Sequence, residues 1–119
     1  MNQARRDAEG LGRRAETVAV WLLRLKGYVI LARRERTPVG EIDIVARRGR
    51  TLVAVEVKAR RASTPLRDLI TEAQWRRICR ALELYAARRR FDHLRLRFDV
   101  VFLQPRQWPR HIPDAWRPS

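Results

Sequence analysis

An α/β domain, α+β by some schemes, with elements in the order α-β-β-β-α-β around a mixed central sheet is the fold that three features of this sequence predict. Apolar residues near the start recur at a helical period, three short extended segments then follow one another across tight turns, and a second helical stretch leads into a long alternating one.

The first helix is expected from Gly12, because Ala15, Val18, Ala19, Leu22 and Leu23 fall at i, i+3, i+4, i+7 and i+8 on one face, and Gly27 supplies the stop. Residues 1–11 are polar and basic with no period, and are read as a flexible leader before a single domain over 12–119. Tyr28-Val29-Ile30-Leu31-Ala32 has strand content, and Thr37-Pro38-Val39-Gly40 is turn chemistry. Beyond it Ile42, Ile44 and Ala46 alternate with Glu41, Asp43 and Val45, and a turn at Arg47-Arg48-Gly49-Arg50 leads into a third strand over 52–58. These short links make a meander.

Residues 60–68, with Ser63, Thr64 and Pro65, read as an irregular loop. A second helix follows, with Thr71 and Gln74 spaced as a capping box and Ile70, Ala73, Ile78, Ala81, Leu82 and Tyr85 as its apolar side, and it runs to about Arg88. Leu94, Leu96, Phe98, Val100 and Phe102 alternate with their neighbours in a fourth strand, which a right-handed crossover returns beside the third. From about Gln104 the chain holds four prolines with Trp108 and Trp116, and is expected to pack as an extended cover over the core.

At 119 residues the chain suits one core. Its 45% hydrophobic and 34% charged residues exclude a disordered tail and a membrane span alike. The longest apolar run covers only residues 18–23, against the roughly 20 residues of a bilayer helix, and the polar start lacks a signal-peptide core, so a cytoplasmic protein is expected. The lone Cys79 excludes an internal disulfide and a cysteine-based zinc site, and is read as a core thiol. A net charge of +14 points to a polyanionic partner, nucleic acid first, although 25 of the 27 basic residues are Arg, which also fits a general compositional bias.

Asp43 and Glu56 lie inside strongly apolar strands, where an uncompensated carboxylate costs several kcal/mol. Glu56 and Lys58 are i and i+2 and project from one face, and Asp43 can join them if the second strand pairs alongside the third. Two carboxylates and an ammonium then converge, and oxygen ligands of this kind favour Mg²⁺ or Mn²⁺. With 2 Lys among 27 basic residues, a lysine two places after Glu56 has a chance of about 7% under random assignment, which suggests a need for a compact ammonium. A cross-strand salt bridge on a solvated sheet face accounts for the same residues without chemistry. Glu41 is read as a surface residue facing away from Asp43, Asp99 as a structural partner of a nearby arginine, His93 and His111 as loop polar residues, and Trp75, Trp108 and Trp116 as packing residues rather than base-stacking platforms.

Gly40-Glu41-Ile42-Asp43-Ile44-Val45, followed by Val55-Glu56-Val57-Lys58-Ala59-Arg60, resembles the YraN family, whose fold is similar to the PD-(D/E)xK endonucleases and the archaeal Holliday-junction resolvases. The likeness extends from Gly12 through Ala15-Glu16, Gly27-Tyr28 and Arg97-Phe98-Asp99-Val100-Val101 to Ile112-Pro113-Asp114-Ala115-Trp116. It implies a restriction-endonuclease-like core with Asp43, Glu56 and the Val57 carbonyl as metal ligands, Lys58 as catalytic lysine and Glu16 as the helix-borne acid. Gln74 stands where the family often has Lys; it either touches the site or only caps the helix. Glu16 equally suits an acid near a helix start, stabilised by the macrodipole and by nearby Arg13 and Arg14.

The activity so implied is Mg²⁺- or Mn²⁺-dependent phosphodiester hydrolysis, structure-selective on DNA rather than RNA, with Arg60, Arg61, Arg76 and Arg77 neutralising flanking phosphates. A homodimer would set two sites in two-fold symmetry on a branched substrate. The competing readings are a nucleic-acid-binding module on a nuclease fold with little or no turnover, and a basic structural component of a ribonucleoprotein.

Overall fold

The order of elements follows from where the sequence changes period. The computed structural model describes residues 2–59 and 69–119, with side chains from Arg13 onward. Helix α1 is Asn2–Leu25, strands β1, β2 and β3 are Val29–Thr37, Gly40–Arg48 and Thr51–Ala59, helix α2 is Glu72–Arg88, and β4 and β5 are Arg95–Leu103 and Arg110–Trp116. The five strands lie in sequence order in one sheet. β3 and β4 are parallel and joined through α2, as the crossover requires, and the other neighbours are antiparallel, so the sheet is mixed.

Alternation along β3 divides the core in two. Leu52 and Ala54 pack with Ile78, Ala81, Leu82 and Tyr85 of α2, whereas Val53 and Val55 pack with Ala19, Val20 and Leu23 of α1. The helices therefore cover opposite faces of the sheet. Each large side chain sealed here, such as Leu23 or Leu82, contributes about 1.5–3 kcal/mol of burial.

Both helix ends have local causes. Gly27 takes a left-handed φ of 91°, Tyr28 N–H donates to Leu23 O at 3.0 Å and Gly27 N–H donates to Arg24 O at 3.0 Å, a Schellman stop for α1. α2 starts at the expected capping box, with the Thr71 hydroxyl accepting from Gln74 N–H at 3.1 Å and the Gln74 amide oxygen accepting from Thr71 N–H at 2.8 Å.

Two expectations are revised. α1 begins at Asn2, so the polar segment read as a loose leader continues the helix; it holds no proline and is rich in good helix formers, but has too few apolar residues to show a period. The segment after Gln104, expected only as an extended cover over the core, pairs with β4 as a fifth strand. Trp116 explains why it docks: its ring stacks on Trp75 at 5.9 Å and meets Phe98 edge-on at 5.3 Å. Pro113 is tolerated because β5 is an edge strand.

Candidate active site

The carboxylates meet where β2 and β3 part. Their ladder ends at Ile44↔Val55, and just beyond it Asp43 Oδ2 accepts the Val57 N–H at 2.8 Å, a side chain taking the place of a ladder carbonyl. Glu56 is buried, and its carboxyl group faces Asp43 closely enough for the two acids to act on each other's charge. Lys58, two residues on along the same face, is half-buried and sets its positive charge against both acids.

Burial, then the facing Asp43 charge, pushes Glu56 from 4.5 up to about 8, against the pull of Lys58. Burial also raises Asp43 above the ordinary aspartate range, although the Val57 N–H and Lys58 oppose it. One ammonium does not neutralise a buried and a half-buried carboxyl, and near neutrality the pair retains a proton between them.

Beside this pair lies an open cavity of about 430 Å³. Its acidic lining is Glu16, Glu41 and Asp43, its arginines are Arg13, Arg34 and Arg36, and Val57 lies at its wall. Glu16 is buried on α1, and its two oxygens accept Arg33 Nε at 3.1 Å and Arg34 Nε at 3.0 Å. Arg34 follows a register shift in β1 between Ile30 and Ala32 and holds a left-handed φ of 51°. For a non-glycine residue that conformation costs about 1–2 kcal/mol.

Asp43, Glu56, Val57, Lys58 and Glu16 are thus brought to one end of the sheet. Gln74 takes the capping alternative, its amide oxygen engaged by Thr71 N–H. Arg76 and Arg77 are exposed on α2, where Arg76 pairs with Glu72 at 3.5 Å, and neither lines the cavity. Arg60 and Arg61 lie outside the described residues.

Glu41 needs correction. Residues i and i+2 of a strand share a face, so Glu41 stands on the Asp43 side and lines the same cavity. Arg13, Arg34 and Arg36 were not among the residues the sequence pointed to, since 25 arginines leave no compositional contrast. The signal was the hairpin register: the turn at Thr37-Pro38-Val39-Gly40 sets Arg36 opposite Glu41, with Arg34 two residues behind.

Among the described residues no three His, Cys, Asp or Glu side chains gather as a metal cluster. The donors at hand are two carboxylates and backbone oxygen, a hard-oxygen set that suits Mg²⁺ or Mn²⁺, which keep several waters and need only one or two carboxylates. Two facing acids, one buried and one half-buried, that share a proton are a place where a divalent cation would relieve charge.

A second polar cluster sits between β4 and β5. Asp99, fully buried, accepts from Arg97 Nε at 2.9 Å, from Asp114 N–H at 2.9 Å and pairs with His111 Nε2 at 2.8 Å. Arg97 also donates to the Tyr28 hydroxyl, and Lys26 Nζ lies 2.6 Å from His111 Nδ1. Asp99 is therefore paired with an arginine as expected, but His111 is a strand residue with a buried ring rather than a loop polar group. Cys79 is only half-buried, its thiol 3.7 Å from Glu83 and pushed up to about 11 by burial and that carboxylate.

Comparison with known proteins bears on the fold. A solved structure of Hjc, a Holliday junction resolvase from Archaeoglobus fulgidus, superposes with a TM-score of 0.56 at 24% identity, covering 84% of this chain and 73% of that one. The restriction-endonuclease-like fold is shared. A UPF0102 protein of Parvibaculum lavamentivorans is 56% identical over 109 residues, 91% of this chain and 82% of its own. Another, of Maricaulis maris, is 48% identical over 120 residues, with 100% and 94% covered. The family model described as Uncharacterised protein family UPF0102 matches residues 15–103, and this chain belongs to that family, the YraN family.

Proposed function

We propose that the protein is a divalent-metal-dependent endonuclease that cuts DNA by recognising structure rather than sequence. The observation that carries this reading is the Asp43–Glu56 carboxyl pair with Lys58 beside it, at the edge of an arginine-lined cavity. Asp43, Glu56 and the Val57 carbonyl would hold Mg²⁺ or Mn²⁺. A cation bound there supplies Lewis-acid polarisation of the scissile phosphate and acidifies a water.

The remaining work falls to the chain's own groups. Lys58 is a compact charge that can orient the attacking water or stabilise charge developing on the phosphate. Arg13, Arg34 and Arg36 offer guanidinium donors to phosphate oxygens. Glu16, already neutralised by Arg33 and Arg34, acts as a positioning residue that fixes the Arg34 guanidinium at the cavity. Phosphate contacts of this kind carry no base readout, hence selection by DNA shape. The fold shared with a Holliday junction resolvase supports branched DNA as the substrate.

One observation favours a second reading, a binding module with little turnover: among the described residues no three acids gather as a metal cluster, and Glu16 is engaged by Arg33 and Arg34. Labelled duplex, flap, four-way junction and single-stranded DNA, each incubated with and without Mg²⁺ or Mn²⁺, separate the two. The nuclease reading expects metal-dependent nicking that Asp43→Asn and Lys58→Ala each lower at least about 100-fold while leaving DNA binding intact. Tight binding with no metal-dependent nicking of any substrate supports the module instead.

A further inference from the structure

Trp108 stands out among the large apolar side chains, because it is 92% exposed, whereas Trp75 and Trp116 are packed against each other. The sequence predicts all three as packing residues, and Trp108 is instead open to solvent. It sits in the loop between β4 and β5, which the turn Gln104-Pro105-Arg106-Gln107 builds. Gln107 N–H donates to Gln104 O at 3.3 Å, and Arg106 holds a left-handed φ of 61° after a proline, the pattern of a type II turn. Pro105 and Pro109 bracket the indole and restrict the backbone on both sides.

Topology places this tip at the same end of the molecule as the candidate active site. β4 runs parallel to β3, so both leave the sheet at one edge, and the start of β2, with Asp43, lies at that edge too. Lys58 is in register with Phe102 of β4, and Phe102 with Arg110 of β5, one row across three strands. β5 is two strand spacings from β3, about 10 Å, or roughly three base steps of a nucleic-acid strand.

The chemistry at the tip matches an unstacked base. Arg106 and Arg110 are exposed and flank Trp108 with positive charge, and beneath the loop a hollow of about 430 Å³ is lined by Trp108, Pro109, Phe102 and Arg110 among others. An indole offers no charge to a phosphate but a broad π-face to a base, and such a face is available only where bases are unpaired, as in single strands and at branch points. A net charge of +14 disfavours a second copy of this chain as the occupant.

We infer that Trp108, braced by the β4–β5 turn and flanked by Arg106 and Arg110, is a stacking platform for an unpaired base of the nucleic acid held at the Asp43–Glu56 site. This rests on the nuclease reading for its ligand and adds the feature of the substrate that is recognised.

Fluorescence anisotropy with a labelled single strand and a blunt duplex of the same sequence, for wild type, Trp108→Ala and Trp108→Phe, tests it. Trp108→Ala should lose about tenfold in single-strand affinity with duplex affinity unchanged, and Trp108→Phe should retain most of the wild-type value. Single-strand affinity equal to wild type, or an equal loss on both forms, overturns the platform; if wild type still nicks duplex in a metal-dependent way, the nuclease reading survives alone. Wild type that binds neither form overturns both. Sedimentation velocity completes the test: a wild-type dimer that Trp108→Ala dissociates, with single-strand affinity unchanged, makes the tip a self-contact and overturns the inference.

Discussion

At the residue scale, two acids respond to pH in opposite senses. Glu56 is raised from 4.5 to about 8 by burial and by Asp43, so the folded state holds its proton more tightly than the unfolded chain does. Its contribution favours folding below pH 4.5 and is lost as pH rises towards about 8. The metal-free protein should therefore melt at a lower temperature at pH 8.5 than at pH 6, and Glu56→Gln should flatten that slope, as calorimetric scans across this window will show. For Asp99, burial pushes upward, but hydrogen bonds from His111, Arg97 and the Asp114 N–H win and hold its carboxyl below the ordinary aspartate value. That stabilisation is present at neutral pH and disappears only in acid, as pH falls through the lowered value. Removing this partner in Asp99→Ala leaves Arg97 without its counter-charge and should cost about 3–5 kcal/mol in denaturant unfolding. The anomaly of Asp43 and Glu56 inside apolar strands was visible in the sequence, because acids rarely occupy such positions. The Glu16 clamp was not, since its partners Arg33 and Arg34 look like any other of 25 arginines.

At the scale of elements, what was legible depended on whether a local rule was being followed. The capping box at Thr71 and Gln74, the glycine stop after α1 and the alternation of β4 are rules written in adjacent residues, and each element formed as expected. β5 escaped because Pro113 argues against a strand, and its reason for docking, the Trp116 contact with Trp75 and Phe98, lies far away in the chain. The end of α2 breaks a rule. Phe91 N–H reaches Ala86 O at 2.7 Å and Arg90 N–H reaches Ala87 O at 3.3 Å, a Schellman turn whose left-handed position, φ 59°, is filled by Arg90 instead of glycine. Arg90→Gly should stabilise the protein by about 1 kcal/mol, a rise of about 4 °C in melting temperature, because it removes the Cβ penalty at an exposed site. No gain on that substitution would mean that the turn is not under strain.

For the molecule as a whole, three layers place the Asp43–Glu56 pair within a strongly positive body, an arrangement suited to drawing a polyanion to the proposed cation site. DNA affinity should fall steeply with salt, and Arg36→Ala should weaken binding to all sequences alike while reducing the slope of log K against log salt by about 1. Salt titration of wild type and variant on one duplex checks this, and an unchanged slope removes Arg36 from the phosphate contacts. The shared claim beneath these expectations is that Asp43 and Glu56 bind one divalent cation. Crystals soaked in Mn²⁺ and measured at the manganese absorption edge address it most directly. The account predicts a single anomalous peak bridging the carboxylates of Asp43 and Glu56 within reach of the Val57 carbonyl; a saturated crystal with no peak there, or with manganese bound only elsewhere on the surface, would contradict it.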